Sequence, residues 1–237
     1  MTYLSGFHAI EEQIQAGDQN GAMLYVGTPG PRVKRIMALA DQHGVNVQRV
    51  GQAELDKMAP DNRGAVLALK HKLQDKSVDL DSWLAEPPEK ALVLILDHIE
   101  DPHNLGAILR SADIFNVDLV IIPERRAARE TDTVARVSAG ALAYVPLARV
   151  PNLARALEQL KENDFWAYAA DMQGSKLPSV KFTKRTVLVM GAEGKGVSRL
   201  LQEHCDETVA IPQGGHVESL NVSVATGIFL YAIRNQR

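Results

Sequence analysis

Uninterrupted apolar runs alternate along this chain with segments in which apolar residues recur every three or four positions. In the first third, the spacing predicts helices over residues 7–16, Pro31–His43 and Gln52–Met58. Strands are expected between them at Met23–Val26, Val45–Val50 and Ala65–Lys70. Short connections between such elements imply a small α/β/α sandwich. From Ala91 the pattern changes. Ala91–Leu96 contains no polar residue and reads as a central parallel strand buried on both faces. Further strands are expected at Val117–Ile122, Val145–Leu147, Phe165–Ala170, Thr186–Gly191 and Val209–Ile211. Helices are expected at Asn104–Ile114, Thr131–Ser138, Pro151–Asn163, Ser198–His204 and Asn221–Asn235. That alternation implies an α/β domain with a parallel sheet and helices on both faces, whose ligand sites lie at the carboxyl ends of strands.

Between the two patterns lie residues 76–90 (KSVDLDSWLAEPPEK), polar, acidic and carrying Pro87-Pro88. Tandem proline opposes helix and ladder alike. The segment is expected to be a linker, dividing a domain of residues 1–75 from one of residues 91–237, with the boundary near residue 80.

Composition narrows the setting. The 237 residues are 46% hydrophobic and 23% charged, as in ordinary globular proteins. No apolar run reaches the ~18 residues of a membrane span, and no secretory signal is read at the start of the chain. A single cysteine, Cys205, forbids an internal disulfide, fits a reducing cytoplasm and reads as a structural bystander. The net charge of −3 argues against indiscriminate nucleic-acid binding but leaves room for a local basic face. Arg32, Lys34 and Arg35, then Arg63, Lys70 and Lys72, then Arg125, Arg126 and Arg129 are the clusters that could form one; each is equally readable as solvated surface.

Three segments carry chemistry, each where an apolar strand gives way to glycines and polar residues. In the first, Asp97-His98-Ile99-Glu100-Asp101-Pro102-His103 leads into Asn104-Leu105-Gly106 and on to Arg110. Asn104 suits a helix N-cap, and read alone this is a capped helix whose arginine makes a surface ion pair. Three carboxylates on one loop lack a convincing ligand geometry, so no metal is expected. The second, Gly191-Ala192-Glu193-Gly194-Lys195-Gly196, is neither G-x-G-x-x-G nor a P-loop, since Lys195 is followed by glycine. It is a strand-to-helix turn by default, and a backbone reader of an adenine edge at its sharpest. In the third, Ile211-Pro212 leads through Gln213–Glu218 and Ser219 into Leu220-Asn221-Val222-Ser223 and a helix rich in small residues. Ser219 suits the N-cap there. Asn221 would need partners if buried, from a ligand or from another chain.

In this order, about eighty and then thirty residues apart, NLGAILRSA, VLVMGAEGKGV and IPQGGHVESLNVSVATGI resemble the SpoU branch of the SPOUT RNA ribose 2′-O-methyltransferases. The likeness spans residues 90–237, including Val137–Ala141. Gly6–Ile10 and Asn62–Val66 resemble the N-terminal RNA-binding domain of bacterial large-subunit rRNA guanosine-2′-O-methyltransferases. The resemblance implies a deep trefoil knot in which the C-terminal helix threads a loop, S-adenosylmethionine held in that knot, and a homodimer that completes each active site across its interface. Met190, Gly191, Gly194, Ile211 and Leu220 would line the cofactor pocket, with backbone groups holding adenine and ribose and glycine leaving them room. Asn104, Arg110, Glu193, Ser219 and Asn221 would form the catalytic or substrate-positioning set. An arginine stays protonated in nearly all settings, so Arg110 is expected to clamp an RNA phosphate and stabilise developing charge more than to act as a base. The substrate implied is RNA, most of all a guanosine of 23S rRNA, with no membrane and no metal involved. A tRNA substrate, a non-catalytic RNA-binding or ribosome-assembly factor, and a nucleotide-phosphate enzyme are the competing readings.

Overall fold

The computed structural model describes residues 2–15, 21–60, 62–69, 77–124, 134, 138, 141–216 and 219–236. Lys70, Lys72, Arg125, Arg126, Arg129, Glu218, most of Thr131–Ser138 and most of Val137–Ala141 lie outside those residues.

Two sheets form. The N-terminal one has strand order β1-β4-β2-β3, from β1 (Thr2–Ser5), β2 (Met23–Val26), β3 (Asn46–Arg49) and β4 (Ala65–Leu69). Only β2 and β3 run parallel. Helices α1 (Phe7–Gln15) and α2 (Pro31–Gln42) bury Ile10, Ile14, Val33 and Ile36 on one face. Leu55 of α3 (Gln52–Met58) packs with Val66 on the other. The sequence signals missed β1, an edge strand four residues long. Asn62 is 1% exposed with its amide fully engaged: it donates to Asp56 and to the Ala59 carbonyl, and accepts from Gln52 and the Gly64 N–H. It locks the left-handed turn at Arg63 and Gly64 that launches β4. Arg32 is likewise engaged, on Glu11 at 3.0 Å and over the Phe7 ring, whereas Lys34, Arg35 and Arg63 are exposed.

The second sheet is wholly parallel, in the order β10-β8-β9-β5-β6-β7. Its strands are β5 (Ala91–Asp97), β6 (Leu119–Pro123), β7 (Leu147–Val150), β8 (Trp166–Lys176), β9 (Arg185–Gly191) and β10 (Glu207–Ala210). Every residue of β5 is buried, because helices cover both faces. One face carries α5 (Pro102–Ile114) and α8 (Val222–Asn235), through Leu105, Ile108, Leu109, Phe229, Leu230 and Ile233. The other carries α4 (Leu80–Leu84), α6 (Leu153–Glu162) and α7 (Arg199–Glu203). The expected linker is thus structured in its middle. Leu80 and Leu84 are buried against the sheet, Asp79 caps α4 through the Ser82 N–H, and the Val78 N–H donates to the Leu147 carbonyl. Its apolar residues are spaced i, i+4, a helical signal that the flanking charges and prolines obscured.

Candidate active site

The three motifs converge at the carboxyl ends of β5, β9 and β10. β9 ends at Gly191 and the chain turns at once, with the Ala192 carbonyl accepting from the N–H groups of Lys195 and Gly196 at 3.2 and 2.9 Å. The turn requires φ of +78° at Gly194 and +67° at Gly196. It closes so tightly that a Cβ on Gly191 would stand 1.9 Å from the Gly196 carbonyl carbon. The loop's packing on itself, rather than the approach of a ligand, therefore demands glycine at 191.

The first turns of α5 and α8 supply the polar groups, and both caps differ from those expected. Asp101, not Asn104, caps α5 by accepting from the His103 N–H at 2.9 Å, with Pro102 at the first helical position. Asn221, not Ser219, caps α8: its Oδ1 accepts from the Ser223 and Val224 N–H groups and from the Ser223 hydroxyl. These caps free Asn104, one turn into its helix, to meet Asn221. The Asn221 Nδ2 donates to the Asn104 Oδ1 at 2.9 Å and reaches the Glu193 Oε2 at 3.5 Å. Asn221 thus finds within the chain the partners its position required. Asp97, 2% exposed, accepts from the Ser198 N–H at 2.7 Å and pairs with the imidazole of His98, a residue with a φ of +58°.

Two cavities flank this cluster. The first, about 270 Å³, is lined by apolar Met190, Ile211, Leu220, Val222 and Phe229, with Asp171, Glu193 and Ser219 among its polar residues. The second, about 690 Å³, lies beneath the loop from Asp97 to Asp101 and includes Asn104 and Ser198. Ala192, Glu193, Lys195, Gly196 and Val222 belong to both, so the glycine turn and the start of α8 form a shared wall. All five expected pocket residues, Met190, Gly191, Gly194, Ile211 and Leu220, line the first cavity. Arg110 stands apart. It is exposed, six residues along α5 from Asn104, and lines neither cavity. Its electrostatic neighbours include Glu12 of α1, whose carboxyl is pushed up chiefly by burial and then by Asp113, with His8 and Arg110 opposing. Cys205 is remote from all of this. Burial pushes its thiol up to about 12, so it stays protonated and unreactive at neutral pH.

Ala170, Asp171 and Met172 also line the first cavity, and no motif in the sequence marks them. They come from β8, which leaves the ladder and returns: Thr208 of β10 pairs with Ala169, but the next residue, Val209, pairs with Ser175. Residues 170–174 therefore bulge out over the cavity. Gly174 allows the return, since a Cβ there would lie 2.3 Å from the Thr208 carbonyl oxygen. The available signal was the rule that parallel strands carry their sites at their carboxyl ends.

The site thus consists of an apolar slot with carboxylates among its lining residues, suited to a flat heterocycle with a polar or cationic tail, and it shares a wall with a wider cleft. Residues 91–231 match the SpoU rRNA methylase family, and residues 3–74 match the RNA 2′-O ribose methyltransferase substrate-binding domain. A protein of Staphylococcus aureus (strain MSSA476), assigned to the TrmH family of tRNA/rRNA methyltransferases, is 38% identical over 241 residues, covering 100% of this chain and 96% of that protein. Among solved structures, an RNA 2′-O ribose methyltransferase superposes with a TM-score of 0.82 at 24% identity, over 99% of this chain and 88% of that one. The SpoU methyltransferase AviRb of Streptomyces viridochromogenes, in complex with S-adenosylmethionine, superposes at 0.76 with 22% identity, over 99% and 89%. The chain belongs to the SpoU/TrmH family of RNA ribose 2′-O-methyltransferases, with a substrate-binding domain ahead of a parallel-sheet catalytic domain.

Proposed function

We propose that this protein methylates a ribose 2′-hydroxyl of 23S rRNA, at a guanosine, using S-adenosylmethionine, as a cytoplasmic homodimer. The observation that carries this reading is the hydrogen-bonded Asn104–Asn221–Glu193 cluster, of which Glu193 lines both cavities and Asn104 the larger one. The smaller cavity suits the cofactor, with adenine among Met190, Ile211, Leu220 and Phe229 and the carboxylates of Asp171 and Glu193 near its polar parts. AviRb, crystallised with S-adenosylmethionine, has the same fold. The larger cavity suits the target nucleotide. When bound, the cofactor supplies a methyl group on a sulfonium, which leaves as a neutral thioether.

The chain's own residues orient the acceptor. Asn104, Glu193, Ser219 and Asn221 position the ribose, and alignment of hydroxyl and methyl supplies much of the rate. Arg110 clamps a phosphate next to the target and stabilises charge developing on the 2′-oxygen. Residues 1–75 recognise RNA and residues 91–237 transfer the methyl group. In this reading the separate substrate-binding domain favours rRNA over tRNA, because the tRNA enzymes that the resemblance brings into competition usually carry basic terminal extensions instead. Knotting of the C-terminal helix through a loop belongs to the same reading.

Dimerisation is supported by an uncovered apolar face. Val224, Ile228 and Tyr231 recur at i, i+4 and i+7 on α8 and are 52%, 37% and 58% exposed. Ile114, one turn beyond Arg110 on α5, is 64% exposed. A second copy covering this face would bring Arg110 to a partner's site.

Ribose-methylation mapping of rRNA and tRNA from cells with and without the gene tests the proposal. The expected result is loss of one 2′-O-methyl in 23S rRNA, restored by wild type but not by Arg110→Ala. A lost mark in tRNA would overturn the substrate, and no lost mark would favour a non-catalytic assembly factor.

A further inference from the structure

From the β8 excursion we infer that Asp171 is the carboxylate that holds the ribose diol of the adenosine cofactor, a positioning contact that rests on the proposed cofactor site. Three observations carry it. Residues 170–174 leave the ladder between the pairs Ala169–Thr208 and Ser175–Val209, and this excursion carries Asp171 onto the first cavity. The two carboxylate oxygens are divided. Oδ1 accepts from the Gln173 N–H at 2.9 Å, which fixes the side chain, while Oδ2 lies 3.9 Å from where a Cβ on Gly196 would stand. That leaves Oδ2 at the glycine turn, where the adenosine backbone contacts are expected.

The position also decides between the two groups such a carboxylate could serve. Glu193 lies on the wall shared with the larger cavity, where methyl transfer must occur. Asp171 lines the smaller cavity and not the larger one. Glu193, which lines both cavities, is the carboxylate placed for the sulfonium, and this leaves Asp171, which lines only the smaller one, for the adenosine part. An ionised carboxylate accepts from two vicinal hydroxyls, the chemistry by which an acidic residue holds the ribose of a dinucleotide in other α/β folds. Asp171 forms no new bond and moves no proton.

Calorimetric binding tests this on the full-length protein, with S-adenosylmethionine, S-adenosylhomocysteine and the 2′-deoxy and 3′-deoxy forms of the latter. Asp171→Asn keeps the Oδ1 that accepts from Gln173 and removes the charge. It is expected to weaken both the sulfonium and the thioether form to the same extent, on the order of 10- to 100-fold. Wild type is expected to discriminate against the deoxy compounds, and Asp171→Asn and Asp171→Ala to lose that discrimination. Unchanged discrimination in both variants would overturn the inference. Selective weakening of the sulfonium form would overturn it too, by making Asp171 a partner of the positive charge. No binding of any of these compounds to wild type would instead overturn the cofactor site itself, and the inference with it.

Discussion

Gly174 and Gly191 are both glycines because backbone crosses backbone, and this makes them sharp probes of the site. A methyl group at 174 would lie 2.3 to 2.5 Å from Thr208 and Val209 backbone atoms, with no side chain able to swing aside. Gly174→Ala must therefore displace β10 or flatten the excursion that carries Asp171. The expected cost is roughly 1–3 kcal/mol of stability, as for other overpacked positions, read by chemical denaturation. Cofactor affinity should fall with it, because β10 also leads into Ile211 of the same cavity. Full stability with wild-type affinity would mean that the excursion does not shape the site. A sequence lists a glycine without saying what it passes, so neither Gly174 nor Asp171 was legible. The close approach arises between β8 and β10, more than thirty residues apart.

The helices were legible as periodic stretches, but their first turns were not, and the site is built from first turns. Asn104 and Ser219 each looked like a cap, whereas Asp101 and Asn221 hold those positions. The competing caps lay within three residues on the same loops, and only the path of the chain selects among them. Asn221 does two things with one amide. Its oxygen caps α8 and its nitrogen holds Asn104 and reaches Glu193, so substitutions can separate the tasks. Asn221→Ala removes both. It should cost roughly 1–2 kcal/mol in thermal or denaturant unfolding, the range for a lost N-cap, and methyl transfer should fail. Asn221→Asp keeps the capping oxygen and adds negative charge at a helix N-terminus, which is favourable there. It loses the donor and faces Glu193, so near wild-type stability with strongly reduced methyl transfer is expected. Equal activity in Asn221→Asp and wild type would reduce Asn221 to a cap. The strands needed no such resolution. Continuous apolar runs such as Ala91–Leu96 specify buried parallel strands in almost any context, which is why the sheet was readable while α4 and the β8 excursion were not.

The whole molecule turns on how α5 and α8 lie together. Asn104 meets Asn221, Ser111 lies 3.8 Å from the Cβ position of Gly227, and the Phe115 ring packs edge-on against Tyr231 at 6.3 Å. Contacts that advance together along both helices mean that the two run parallel, each starting at the polar cluster. Their outer surface then carries Arg110 and Ile114 beside Val224, Ile228 and Tyr231, with the arginine ~9 Å along α5 from Asn104 at the rise of a helix. In the proposed dimer this arginine, exposed, outside its own cavities and one turn before Ile114, lies at a two-fold interface where the same patch meets itself. Ile228→Glu should therefore give a monomer in sedimentation, without loss of secondary structure, and abolish methyl transfer. A stronger test follows from the geometry. Arg110→Ala and Glu193→Ala homodimers should each be inactive, because every site in them lacks one of the two groups. After mixing and subunit exchange, half of the dimers are mixed and each mixed dimer holds one complete site, so activity should return to about a quarter of wild type. If Arg110 instead serves its own chain, every site in the mixture still lacks one group and no activity returns.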